Sequence, residues 1–133
     1  MYKRQISEQV ETYLYEPGAA LLKASPFRLL ASAYGVKKLH SNSHLYTSSQ
    51  LVDFPGRCFK VVGISGFGKK ELKTFLEGVE KANLTVRNFP SSVADLRKKL
   101  KIKEGGEIYL FATTLGDGQK VLVKCCKVGQ AEA

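Results

Sequence analysis

The stretch RCFKVVGISGFGKKELKTFLEGV, residues 57–79, decides the fold class. Residues 58–65 are rich in β-branched and aromatic side chains and predict a strand. Four apolar residues then recur at the i, i+3, i+4 and i+7 spacing of an amphipathic helix: Leu72, Phe75, Leu76 and Val79. A strand that leads through glycines into such a helix predicts a domain in which helices cover a sheet.

The turn inside this stretch matches the GxxxxGK pattern of a phosphate-binding P-loop at Gly63, Gly68 and Lys69. A P-loop places backbone N–H groups and a lysine on phosphate oxygens, and its next Ser or Thr holds Mg²⁺. Lys70 stands at that next position, and no later apolar strand ends in the Asp that supplies the second metal contact. We therefore expect a turn between a strand and a helix here, and no nucleotide site.

The elements that follow predict a β-α-β-α-β-β order for the second half of the chain. Residues 84–89 indicate a strand, and Ser92 with Asp95 forms a capping box for a helix through about Leu100. Two β-rich segments then flank LGDGQ, in which Asp117 and Gly118 are expected to take the positive backbone angles of a hairpin turn: residues 108–114 and 120–127. This order predicts an α+β fold with helices packed on an open mixed sheet.

The first half of the chain is less regular. Residues 12–16 predict a short strand, and Pro17 suits the first turn of a helix that AALLKA continues. Ser25 predicts the start of a second helix, which Gly35 ends as a left-handed cap.

The composition is that of a soluble globular protein with an excess of cations. The 133 residues include 21 Lys and Arg against 12 Asp and Glu, for a net charge of +9. We expect no membrane span and no signal peptide, and hence a cytoplasmic protein. Such an excess attracts polyanions, so nucleic acid is the leading partner class, although lysines also serve solubility.

The cations concentrate around the two predicted helices of the second half. Arg97, Lys98, Lys99, Lys101 and Lys103 lie at one helix end, Lys69 and Lys70 open the other helix, and Arg87 precedes the capping box. Cations at a helix C-terminus also favour the macrodipole, so a structural role is the alternative. We expect these eight residues to contact an RNA phosphate backbone.

Cysteine and histidine spacing argues against metal or redox chemistry. Cys58, Cys125 and Cys126 contain no CxxC pair, and adjacent residues on a strand point to opposite faces. We expect reduced, mostly core-facing thiols. His40 and His44 have i, i+4 spacing, but the Ser-Asn-Ser between them favours a turn, so no metal site is expected. No nucleophile, base and orienter occur together, and we expect no catalytic residue in this chain.

Several segments together carry a family resemblance: YLYEPGAALLKASPFRLLA, KKLHSNSHLYTSS, DFPGRCF, FGKKELK, ANLTVRNFPSSVADLRKKLK and GGEIYLFATTLGDGQKVLVKC. From about Tyr13 to Lys127 the chain resembles the C-terminal region of Bacteroidetes class I SAM-dependent methyltransferases. The resemblance implies a small ferredoxin-like segment, residues 6–56, followed by a THUMP-like domain, residues 57–128, and a tail, residues 129–133.

This resemblance implies a noncatalytic module that binds structured RNA, either tRNA or rRNA. The methyl donor S-adenosylmethionine would be held by an upstream methyltransferase domain, with no cofactor in this chain. The assignment of individual RNA contacts comes from the charge pattern and not from the family. The alternative is a structural or dimerisation domain that packs on the methyltransferase core without contacting RNA.

The first five residues, MYKRQ, can be back-translated as ATG TAT AAG AGA CAG, which resembles the transposase end sequence used in shotgun library preparation. We therefore expect residues 1–5 to be an assembly artefact and the chain to derive from a truncated gene. A contig that encodes a different sequence directly before Ile6 would support this expectation, and the same MYKRQ within an intact genome would contradict it.

Overall fold

A computed structural model describes residues 9–18, 34–40, 43–54 and 56–128. In these ranges the strands are β1 (Tyr13–Pro17), β2 (Lys37–Lys38), β3 (Tyr46–Ser48), β4 (Gly56–Ser65), β5 (Asn83–Arg87), β6 (Ile108–Thr114) and β7 (Lys120–Lys127). The helices are α1 (Lys69–Phe75) and α2 (Val93–Leu100). Neither helix has the length and apolar character that a bilayer span requires, and no other helix within the described ranges does.

The strands form one mixed sheet in the order β2-β3-β1-β4-β7-β6-β5. β5 and β6 are parallel, and the other neighbours pair antiparallel. The predicted α+β class, with helices packed on an open mixed sheet, is confirmed. Because β1 pairs with β4 from Tyr13 opposite Lys60 to Pro17 opposite Gly56, the sheet continues unbroken from the first half of the chain into the second.

The second half has the predicted element order, as β4, α1, β5, α2, β6 and β7. Ser92 caps α2 as predicted, since its Oγ accepts a hydrogen bond from the N–H of Asp95 at 3.1 Å. β6 and β7 form the predicted hairpin. Its turn differs in one detail, because Gly118 has a positive φ of 89° and Asp117 does not.

The first half departs from the sequence prediction at Pro17, which ends β1 and does not begin a helix. Gly56 lies opposite Pro17 with a φ of 140°, and a Cβ there would lie 2.3 Å from the carbonyl oxygen of Glu16. Only glycine permits this close approach of the strands. Gly35 has the predicted left-handed backbone, with a φ of 67°. Tyr34, just before it, has the predicted helical backbone. The helix residues predicted within 19–33, the proposed artefact and the tail lie outside the described residues.

The helices α1 and α2 cover one face of the sheet, here called the helix face. Leu72 of α1 and Leu96 of α2 are buried there against the strand residues Leu84, Leu110 and Leu122. Helix α1 ends at Phe75, earlier than predicted, but Phe75 and the next two residues of the predicted stripe, Leu76 and Val79, still pack partly buried against the same cluster. The helical period seen in the sequence therefore reflects burial against the sheet.

The opposite face is here called the concave face, because side chains of β1 and β5, four places apart in the sheet, meet across it. Phe59 of β4 and Phe111 of β6 are fully buried on it, with ring centroids 5.0 Å apart. β7 lies between these strands, so their backbones are separated by about 10 Å. The two side chains therefore meet over β7 and form part of the core on this face.

A buried carboxylate links two arginines on the concave face. Glu16 of β1, with a side chain 10% exposed, accepts hydrogen bonds from Arg57 Nε at 2.8 Å and from Arg57 Nη2. Its other oxygen accepts from Arg87 Nη2 at 2.7 Å, although Arg87 lies on β5, at the far edge of the sheet. Arg57 also lies over the rings of Phe59 and Tyr109. Glu16 therefore connects β1, in the first half of the chain, to β4 and β5, the two outer strands of the second half.

We predict that Glu16→Ala lowers the free energy of unfolding by about 2 kcal/mol, because it removes charge-assisted hydrogen bonds from two half-exposed arginines. Urea unfolding followed by circular dichroism measures the change.

Glu11→Ala is the matched control, because Glu11 forms a longer, more exposed pair with Lys37 at 3.8 Å. We expect it to cost less than about 1 kcal/mol. Equal losses in the two variants would contradict a stabilising role for the Glu16 bridge.

Candidate functional site

A groove of about 540 Å³ between α1 and α2 brings together lysines from both helices. It is here called the lysine groove. Lys69 and Lys73 of α1 line one side, and Lys99 and Lys101, at the end of α2, line the other. All four are exposed, and within the described ranges none of them forms an ion pair. An unpaired cationic groove of this kind is suited to a polyanion.

The floor of the groove is apolar. Phe67, Leu72, Leu76 and Leu100 form it, and they belong to the core of the helix face or pack against it. The Lys99 ammonium lies 5.9 Å from the centroid of the Phe67 ring. The lysines therefore lay their apolar stems along a hydrophobic floor and present their charges at the rim.

Three of the eight predicted RNA contacts lie in the lysine groove: Lys69, Lys99 and Lys101. Lys73 is a fourth groove residue that the sequence analysis missed. Its signal was present, because Lys73 follows Lys69 by four residues and i, i+4 residues share a helix face. Lys70 and Lys98 are exposed on α1 and α2 but do not line the groove.

Arg97 of α2 and Lys103, in the segment after α2, lie against the residues that lead into β5. Arg97 Nη1 donates to the carbonyl oxygens of Ala82 and Ile102, at 3.3 and 3.5 Å. Lys103 pairs through its backbone with Glu80 and Ala82. The Arg97 guanidinium therefore has a structural role in holding the segment after α2 against the start of β5.

Arg87 is separated from the lysine groove by the sheet. Its neighbours Leu84 and Val86 pack on the helix face, and its own side chain reaches Glu16 across the concave face. The structure therefore does not bring the eight predicted residues onto one surface. The role of Arg87 as an RNA contact stays a prediction.

The P-loop-like turn joins β4 to α1, as predicted, and Glu71 of the same chain lies against its glycines. The N–H of Gly66 donates to Glu71 Oε2 at 3.3 Å. A Cβ at Gly68 would lie 2.9 Å from Glu71 Oε1, and one at Gly66 would lie 3.2 Å from it. The glycines thus admit the chain's own carboxylate, whose negative charge opposes a phosphate in that place.

The cysteines are unpaired in the described part of the chain. Cys125 is buried and Cys126 exposed, which confirms that the adjacent residues face opposite sides of the sheet. Burial raises the pKa of the Cys125 and Cys58 thiols. No group of three or more His, Cys, Asp or Glu residues suited to a metal ion occurs among the described residues.

Comparison with known proteins agrees with this architecture. The model of a family described as THUMP domain-like matches residues 56–127, and a model described as a ferredoxin-like domain matches residues 13–55. The first match covers more than half of the chain, and the chain belongs to the THUMP domain-like family. A search of curated proteins found no match.

A solved structure from Porphyromonas gingivalis W83 is also similar to this chain and is described as a candidate methyltransferase. It is 43% identical, with a TM-score of 0.85 over 92% of this chain. This chain spans 31% of the length of that protein. The resemblance to a ferredoxin-like and THUMP-like region of Bacteroidetes methyltransferases is thus confirmed.

We predict that the pKa of His44 reports the placement of Arg87. Burial lowers this pKa below the usual 6.5, and the charges of Lys38 and then Arg87 lower it further. Arg87→Gln removes a nearby positive charge and should raise the pKa of His44, as measured by the NMR titration of its ring protons.

Lys99→Gln, on the other face of the sheet, should leave the His44 titration unchanged. Because the folded protein holds the proton of His44 less tightly than the unfolded chain does, the contribution of His44 to stability is present above pH 6.5 and falls as the pH is lowered towards its folded pKa. An unaltered midpoint of the His44 titration in Arg87→Gln would show that the Arg87 charge does not lie near His44.

Proposed function

We propose that this chain is a noncatalytic RNA-binding module of a SAM-dependent RNA methyltransferase, and that the lysine groove holds the RNA backbone. The convergence of lysines from α1 and α2 on one groove carries this proposal. Membership of the THUMP domain-like family supports it, because THUMP domains generally bind RNA. The similarity to the Porphyromonas gingivalis protein supports the link to methyl transfer.

The groove favours recognition by phosphate contacts and shape. Lysine ammonium groups are point charges on flexible stems, and they contact phosphates without reading base identity. The apolar floor, with Leu76 and Leu100, suits contact with the sugars of an RNA strand that lies between the two helices. We infer structured RNA, tRNA or rRNA, as the partner, and a cytoplasmic location.

We propose that the upstream methyltransferase domain of the parent protein binds S-adenosylmethionine. In the described part of the chain, the one loop of P-loop type carries Glu71 against its glycines and shows no fit to an anionic cofactor group. When bound, S-adenosylmethionine supplies the methyl group. The residues of this chain would hold and orient the RNA.

A second function is favoured by exposed apolar side chains. Val62, at the bulge of β4, is 58% exposed, and Leu51 is 48% exposed. These two side chains are the candidate contacts if another domain covers this part of the surface. The alternative is therefore a structural or dimerisation domain that packs on the methyltransferase core without contacting RNA.

We predict that the chain binds bulk tRNA with an affinity that falls steeply with salt, because counterions are released from each contacted phosphate. The double variant Lys99→Gln/Lys101→Gln should weaken binding at low salt. It should also reduce the slope of log K against log salt by about 1 for each phosphate that the variant no longer neutralises. Filter binding across a salt series measures both quantities.

Lys37→Gln/Lys120→Gln is the matched control, because it removes the same charge from exposed strand residues outside the groove. It should leave the slope nearly unchanged. Equal losses in the two double variants would show nonspecific attraction by net charge. No binding of tRNA at low salt would remove the RNA proposal and favour the structural alternative.

A further inference from the structure

A second concave site lies on the opposite side of α1 from the lysine groove. It is a pocket of about 410 Å³, here called the Glu71 pocket, at the end of β4 where it meets β7. Val10, Ile64, Leu115 and Val121 supply its apolar lining. Ile64 is 46% exposed although it lies on a central strand. Polar residues line the rest of the pocket, and a pocket of this size that combines apolar and hydrogen-bonding groups is suited to a small ligand.

The Glu71 carboxylate lies at the exposed edge of this pocket, where a ligand could replace water as its hydrogen-bond donor. An ionised carboxylate has about four lone-pair positions. Within the described ranges it accepts one hydrogen bond, from the Gly66 N–H at 3.3 Å. Close packing against Gly68 fixes its direction, since a Cβ there would lie 2.9 Å from Oε1. The carboxylate is therefore positioned to accept hydrogen bonds from a ligand.

Gln119 adds a second polar group from the β6–β7 turn. Its backbone N–H donates to Asp117 Oδ1 at 2.9 Å, which fixes the residue at the pocket while its side-chain amide remains able to donate and accept. The pocket thus combines an apolar wall, the Glu71 carboxylate and the polar side chains of Gln9, Ser65 and Gln119. This combination suits a planar ring with a hydrogen-bonding edge.

The net charge of the chain further restricts the chemical class of the ligand. A net charge of +9 disfavours a cationic ligand, so the donors that face Glu71 should belong to a neutral group. Guanine is the RNA base that presents a ring N–H and an amino group side by side on its Watson–Crick edge, and it can pair with both oxygens of one carboxylate. Adenine and cytosine offer an amino group next to an acceptor, which the carboxylate would repel.

We propose that the Glu71 pocket binds an unpaired guanine base, with its edge on the Glu71 carboxylate and its ring against Ile64. The inference rests on the proposed function in taking RNA as the source of the base. The two sites flank the same helix, with Lys69 in the lysine groove and Glu71 in the pocket. Phosphate contacts in the groove and a base contact in the pocket would then give the module a preference for RNA with an accessible guanine.

The test compares guanosine, inosine and adenosine monophosphates by isothermal titration calorimetry, with the Ile64 methyl resonances followed by NMR. The three nucleotides carry the same phosphate, so attraction to lysines cancels in their affinity ratios. Inosine lacks the amino donor of guanosine, and adenosine lacks the ring N–H. We expect guanosine monophosphate to bind about tenfold more tightly than either.

Glu71→Gln should reduce the affinity ratio of guanosine monophosphate over the other two nucleotides to about 1, because an amide presents only one acceptor oxygen. Glu77→Gln removes the same charge at the exposed end of the same helical segment and should keep the full ratio. Gln119→Ala is a second pocket variant that leaves the glycine loop intact, and it should lower the affinity for guanosine monophosphate. Circular dichroism confirms that each variant is folded.

Equal affinities of the unmutated chain for the three nucleotides would overturn the proposal, as would an unchanged ratio in folded Glu71→Gln. Failure of the RNA proposal gives a different pattern. In that case bulk tRNA does not bind at low salt, while a guanosine preference that depends on Glu71 would still establish the pocket as a base site.

Discussion

The two-sided ion pair of Glu16 is the interaction on which the arrangement of this molecule depends. A carboxylate that is mostly removed from water must be paired, and here its partners are Arg57 on the adjacent strand and Arg87 on the far edge of the sheet. The pairing with Arg87 requires the sheet to coil until its two sides approach one another. The same coil brings Phe59 and Phe111 together and creates a core on the concave face.

The positively charged side chains on the two faces of the sheet have different surroundings. The arginines of the concave face are occupied by a carboxylate, and their planar guanidinium groups suit such fixed, multiple hydrogen bonds. The lysines of the helix face are exposed along an apolar groove and stay free of ion pairs within the described ranges. The sheet separates the two sets, so the lysine groove and Arg87 lie on different faces of the molecule.

The two family matches meet within one sheet. The ferredoxin-like match ends at residue 55 and the THUMP domain-like match begins at residue 56, where β4 starts beside β1. Gly56 allows this approach because no Cβ fits against the Glu16 carbonyl. The two matched segments are therefore joined by the pairing of β1 with β4 and by the ion pairs of Glu16. The position of the ferredoxin-like segment thus depends on Arg57 and Arg87 of the THUMP domain-like segment.

Sequence by itself determined the elements whose signals are local. The apolar spacing of α1, the capping box at Ser92 and the turn before β7 each depend on residues a few positions apart. Each element forms where it was predicted, although α1 ends before Val79 and Asp117 lacks the positive φ expected of it. The long-range contacts came only from the tertiary structure. Nothing near Pro17 in the sequence shows that β4 pairs beside it, and nothing near Arg87 shows that Glu16 occupies it. The site divides in the same way. A cluster of cations is visible in the sequence, but only the placement of α1 beside α2 on the sheet selects the four lysines of the groove. The strand register of β5 turns Arg87 to the other face, because partners distant in sequence are set by how the strands pair and coil.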